Sequence, residues 1–175
     1  LSSVIAHHRR RAVVWGMVGK LAPGMLVGAM IGAYIADIAS GEHLKLFFAV
    51  FEVAVAVYLF IGAPVATNVF PATFKWTESL AVSTSIGAIS SVLGIGGGTL
   101  NIPYLCMRGT NIRQAIAVSA ACGIPIAVSG ALGYCLLGLD EAILPAYTSG
   151  FIYWPALAGI VTGSLFTAAL GASLA

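Results

Sequence analysis

Charge is what this sequence lacks most. Lys, Arg, Asp and Glu make up 8% of its 175 residues, against 59% hydrophobic residues and a mean hydropathy of +1.00, whereas an ordinary soluble domain carries roughly 25% charged residues. So few charges cannot cover the surface of a water-soluble fold of this size, and that class is excluded. Cys106, Cys122 and Cys135 form no CxxC pair, and no cluster of histidines stands with them. They read as small packing residues, so neither a disulfide framework nor a metal site nor a cofactor is expected. The apolar stretches hold no paired His, no Asp pair and no GxSxG or HExxH element. No catalytic residue is therefore assigned, and the chain is not read as an enzyme. A channel is the other rival, in which a broken segment would act as a filter.

What is present is long apolar blocks, five of them, each near the length that spans a bilayer. They run from about 13 to 36, 44 to 62, 80 to 107 through a glycine cluster, 115 to 138, and 151 to the last residue. Nearly all the charge falls between them, as loops outside a bilayer require. The formal charge is +2, and its one dense cluster, His7-His8-Arg9-Arg10-Arg11, adjoins an apolar block. That cluster reads as a cytoplasmic anchor at a helix end, not a nucleic-acid patch. The chain opens on Leu1, shows no cleavable signal peptide, and stops inside hydrophobic sequence. It is expected to be truncated at both ends.

The first and last blocks align without a gap. Trp15/Trp154, Gly24/Gly163, Leu26/Leu165, Ala29/Ala168, Gly32/Gly171, Ala33/Ala172 and Ala36/Ala175 are identical pairs. The expected organisation is 1–62 as the end of a first repeat, 63–79 as a loop and 80–175 as a second repeat. With the basic cluster inside, Lys75 also falls inside. If the third block enters and turns back, Arg108 and Arg113 stay inside and Asp140 and Glu141 go outside, which makes the repeats inverted. The fold class expected is an all-α, polytopic transmembrane helical bundle of duplicated, inverted repeats with a broken, re-entrant Gly-rich segment.

That segment reads Ser90-Ser91-Val92-Leu93-Gly94-Ile95-Gly96-Gly97-Gly98-Thr99-Leu100-Asn101-Ile102-Pro103. Four glycines in five positions permit φ > 0, and Pro103 has no amide hydrogen, so a continuous helix is not expected. Unwound backbone at membrane depth is tolerated only inside protein or along a polar cavity. A half-helix starting near Thr99 would present free N–H groups and a partial positive charge to an anion, with Thr99 or Asn101 capping it or touching substrate. Close helix packing by small residues is the plainer alternative.

SSVLGIGGGTLNIPYL, followed by RQAIAVSAACGIP, resembles the sulfite exporter TauE/SafE family, and the likeness extends over essentially the whole chain. The resemblance implies a duplicated transporter of small sulfur-containing anions. It carries over to Ser90, Gly94, Gly96, Gly97, Gly98 and Pro103, and to Ser119 on the downstream helix. Ser91 stands where the family often has glycine, and Val118 where threonine is common.

Two ionisable residues remain as candidates. Glu52 lies amid FFAVFEVAVAVYLF, where it is either a proton-coupling carboxylate or a protonated or paired group facing the bundle. Arg113 either attracts the anion or anchors the topology. The expectation is a multi-pass protein of the cell membrane, inner or plasma, that moves a small anion by alternating access. Its partners are that anion and the lipid bilayer, not nucleic acid; a homo-oligomer is left open.

Overall fold

A computed structural model describes residues 4, 12–61, 76–140 and 144–174. The basic cluster at 7–11, Lys75 and Glu141 lie outside the described residues. Six helices account for the five apolar blocks. They are α1 (Trp15–Ile38), α2 (Gly41–Ile61), α3 (Trp76–Leu93), α4 (Gly98–Met107), α5 (Ile112–Leu137) and α6 (Trp154–Leu174). Among the described residues α1 and α5 are long and apolar enough to cross a bilayer. Their 24 and 26 residues make them about 36 and 39 Å long. A short 3-10 turn, Gly138–Asp140, and a two-stranded hairpin, Thr148–Ser149 with Ile152–Tyr153, interrupt the expected all-helical pattern after α5. Gly150 turns the hairpin with φ +57° and lies against the Cys135 carbonyl, too close for a side chain.

The core is built on α1. Its glycines at 24, 28 and 32 recur every four residues and so share one face. That face meets α3 backbone to backbone. A methyl on Gly28 would land on the Thr84 carbonyl, and one on Gly32 would lie 2.9 Å from the Ser91 Cβ. In return, a methyl on Gly87 of α3 would stand 2.7 Å from the Met25 carbonyl oxygen. Contacts of this kind replace the hydrophobic drive that lipid does not supply. Ser91, which departs from the family's glycine, fits because Gly32 and Gly130 flank it on two sides.

Chain direction follows from these pairings. Gly24, Gly28 and Gly32 meet residues 80–83, 84–88 and 88–91 in ascending order, so α1 and α3 run parallel. The Ser129 hydroxyl donates to the Leu26 carbonyl at 2.6 Å, and Gly133 sits against Met30 and Ala33, so α5 runs the same way. Helix α4 runs back: Arg108, just past its end, pairs with Glu78 in the first turn of α3. The chain of the third apolar block therefore turns back on itself, which leaves Glu78, Arg108 and Arg113 at one end of the bundle and Leu139 at the other.

Two measurements test this arrangement. Gly28→Ala should cost about 1–3 kcal/mol of stability by forcing backbones apart, whereas Gly16→Ala, with nothing within 4 Å of the added carbon, should be neutral; thermal midpoints of the purified variants decide. Single cysteines replacing Thr77 and Met107 should react with an impermeant thiol reagent from one side of the membrane, and one replacing Leu139 from the opposite side. Labelling of 77 and 107 from opposite sides would refute the reversal.

Candidate functional site

The reversal is made by residues 94–97. Gly94 adopts φ +67° and closes α3: its amide donates to the Ser91 carbonyl at 3.3 Å, and the next amide, of Ile95, to the Ser90 carbonyl at 2.9 Å. This is the left-handed glycine C-cap that satisfies the last carbonyls of a helix. Gly97, φ +69° and ψ −12°, is the N-cap of α4, and its carbonyl accepts from the Asn101 amide at 2.9 Å. Gly96 and Gly98 are not in the positive-φ region, so two of the four glycines perform the turning. Neither Thr99 nor Asn101 caps α4, because the N-cap position falls to a residue without a side chain. Pro103 sits inside α4 and does not break it; it withholds the amide that would meet the Thr99 carbonyl.

Helix α5 forms the opposite wall. Its middle stretch presents Ser119, whose Oγ lies 3.8 Å from the position a Cβ on Gly98 would take. Gly123 follows, where a Cβ would lie 3.4 Å from the Gly96 carbonyl, and then Ile126, packed on Gly97. Ser90, in the last turn of α3, brings its Oγ within 3.7 Å of the Cβ position of Gly97. The amides of Gly98, Thr99 and Leu100 have no intrahelical partner, as in the first turn of any helix. A left-handed residue followed by a helical one turns successive amides to a common side, a concavity suited to anions. Ser119 is 2% exposed and Asn101 0% exposed. The Ser119 hydroxyl and the Asn101 oxygen meet no hydrogen-bond partner among the described residues, and the Asn101 NH2 faces the Cys122 thiol.

Ser90, Gly94, Gly96, Gly97, Gly98, Thr99, Asn101, Pro103 and Ser119 are thus brought around one reversal, level with the middle of α5. Glu52 and Arg113 are not. Glu52 is exposed on α2, although its neighbour Phe51 lines the approach to the reversal. Arg113 is exposed at the start of α5, separated from the reversal by the ten residues of α4, about 15 Å. A groove of about 1150 Å³ runs along α4 from Thr110 and Asn111 to Gly98 and Thr99, walled by Phe51 and Tyr58 of α2 and by Val82 and Ile89 of α3. Sequence reasoning missed the α5 wall at Gly123 and Ile126, although the GIP run that Gly123 opens and Ile126 follows was in view. It also missed that the side chain of Asn111 caps α5, accepting from the Arg113 amide at 3.0 Å; an Asn just before an apolar run is the signal for that.

The glycine roles separate by substitution. Gly94→Ala should cost about 1–2 kcal/mol for a left-handed non-glycine residue, and Gly97→Ala more, since its methyl would also lie 2.8 Å from the Ile126 Cδ1. Gly96→Ala meets nothing within 4 Å and should leave stability unchanged. Denaturation in detergent ranks the three, and equal losses would contradict the assigned backbone roles.

The model of the family described as "Sulfite exporter TauE/SafE" matches residues 1–175. A "Probable membrane transporter protein" of Haemophilus influenzae is 35% identical over 177 residues, covering 99% of this chain and 65% of the relative. A "Probable membrane transporter protein YunE" of Bacillus subtilis is 21% identical over 194 residues, covering 99% of this chain and 66% of the relative. The chain thus spans just under two thirds of the length of these curated relatives. No solved structure matches it at a significant level. A glycine-capped reversal inside an apolar bundle, with a family match from the first residue to the last, leads to one conclusion: the chain belongs to the TauE/SafE sulfite exporter family.

Proposed function

We propose that this protein is a multi-pass transporter of the cell membrane that moves a small, sulfur-containing anion, sulfite or an organosulfonate, by alternating access. The α3–α4 reversal forms one half of its site. One observation carries the reading: the buried Ser119 hydroxyl, without a partner among the described residues, stands against Gly98, where the first-turn amides of α4 have no intrahelical partner. Amide dipoles and a hydroxyl stabilise negative charge without a buried cation. The names of the relatives support transport rather than catalysis, and the family description supports a sulfur oxyanion.

The groove along α4 is the route to this half-site from the end that carries Arg108 and Arg113. Duplication with inversion supplies the other half, a reading supported by the opposite ends at which Trp15 opens α1 and Trp154 opens α6. Glu52, the ionisable group midway along α2, is the candidate proton carrier.

Gly97 is a poor place to test the site, because its strain and its contact with Ile126 confound binding with folding. Gly98 is better. Alanine is favoured there as a helix residue, and its methyl would stand in ordinary contact with Ser119, at 3.8 Å. Gly98→Ala should insert and melt like the wild type, yet bind sulfite or methanesulfonate at least about tenfold more weakly, since the methyl separates the anion from a charge-assisted hydrogen bond. Wild-type affinity in a folded Gly98→Ala protein would remove the reversal from the site.

A further inference from the structure

Resting on that reading, we infer that Asn101 is the specificity residue of the half-site. It selects a singly charged oxyanion that still carries a proton over the fully deprotonated form.

The inference starts from what surrounds the anion. Asn101 and Gly98 are three residues apart on α4, and Ser119 and Cys122 three apart on α5, so each pair lies on one helix face with about 5–6 Å between side-chain origins. The two faces oppose each other: Ser119 stands against Gly98 and the Cys122 thiol beside Asn101. Every side chain in this set is neutral. The titratable groups on the packed elements are Cys122 and Tyr134 on α5 and Tyr104 and Cys106 on α4 itself, while α3 contributes the Ser90 hydroxyl, which does not titrate. Arg108, committed to Glu78, stands past the far end of α4, and Arg113 in the first turn of α5 that follows.

Two physical terms follow. The cost of transferring an ion out of water rises with the square of its charge, so a dianion costs about four times what a monoanion does in a site of low polarity. Neutral donors at the end of a half-helix offset the smaller cost far more readily than the larger. The second term is the acceptor. Asn101 offers a donor and an acceptor, both fully buried; its NH2 faces the Cys122 thiol, while its oxygen meets no partner among the described residues, and that acceptor repels a bare dianion. Pro125 adds to this, because it withholds the amide that would donate to the Ala121 carbonyl on the same wall. A protonated oxyanion answers both needs: its negative oxygens take the amides of α4, the Ser119 hydroxyl and the Asn101 NH2, and its own O–H donates to the Asn101 oxygen.

The test uses the purified full-length protein and three probes. These are sulfite, whose second proton titrates near neutral pH, methanesulfonate, which is singly charged but carries no proton, and sulfate, a dianion throughout. Wild-type affinity for total sulfite should fall about tenfold per pH unit above the sulfite titration, following the protonated fraction. Methanesulfonate affinity should stay flat with pH and be weaker by at least about tenfold, and sulfate weaker still. Asn101→Leu, which deletes a buried amide with an unpaired oxygen and should not destabilise the fold, should shrink the gap between sulfite at acid pH and methanesulfonate to under about threefold. Sulfite affinity that ignores pH, sulfate binding as tight as sulfite, or an unchanged gap in Asn101→Leu would overturn the role of Asn101 and leave the anion site standing. Failure of the wild type to bind any of the three probes would remove the site itself.

Discussion

Where α1 crosses α3, backbone meets backbone, and the rest of the bundle is arranged around that contact. In lipid, apolar side chains gain little by leaving one apolar surroundings for another, so helices hold together by close van der Waals approach and by weak Cα–H···O contacts that only small residues permit. Gly24, Gly28, Gly32 and Gly87 provide that approach. It fixes α3 as a parallel neighbour of α1, and hence the place where α3 must stop. The Leu26 carbonyl then anchors α5 through Ser129, and α5 in turn supplies the wall against which α4 returns.

The reversal is a consequence of helix ends buried at depth. Four carbonyls at the end of α3 and four amides at the start of α4 have no helical partner, and hydrocarbon offers none. The carbonyl side is largely settled by the glycine C-cap at Gly94. On the amide side Gly97 donates to the Ile95 carbonyl at 2.8 Å, while the amides of Gly98, Thr99 and Leu100 stay outside the helix ladder, and those three donors give the site its sign.

Much of this was legible in the sequence, for identifiable reasons. Five apolar blocks, the third broken at its glycines, matched the six described helices to within a few residues, because a bilayer enforces length. The cluster from Gly94 to Gly98 marked the break, because no other composition is so poor a helix former. Which glycines turn the chain was not legible: freedom of φ belongs to all four, and Gly94 uses it to close the last carbonyls of α3, Gly97 where Ile126 and Ser90 pack on it. The hairpin after α5 escaped because Ser149-Gly150-Phe151 is too short to show any alternation. Glu52 and Arg113 drew attention through charge alone, and a charge in a sequence carries no coordinate of depth or face. The burial of Asn101 depends on Cys122 and Ser119 some twenty residues on, a relation that spacing along one helix does not express.

The Ser91 carbonyl has a consequence of its own. It receives two donors, the Gly94 amide at 3.3 Å and the Tyr134 hydroxyl at 2.9 Å. The last turn of α3 is thereby riveted to α5, while along the seam where α4 faces α5 the Ser119 hydroxyl stays unbonded and the Asn101 amide meets the Cys122 thiol. Rivet and seam sit on either side of Gly94–Gly97. The hairpin of α3 and α4 is thus pinned at both ends, to α5 through Tyr134 beside the glycines and to itself through the Arg108–Glu78 pair at its open end.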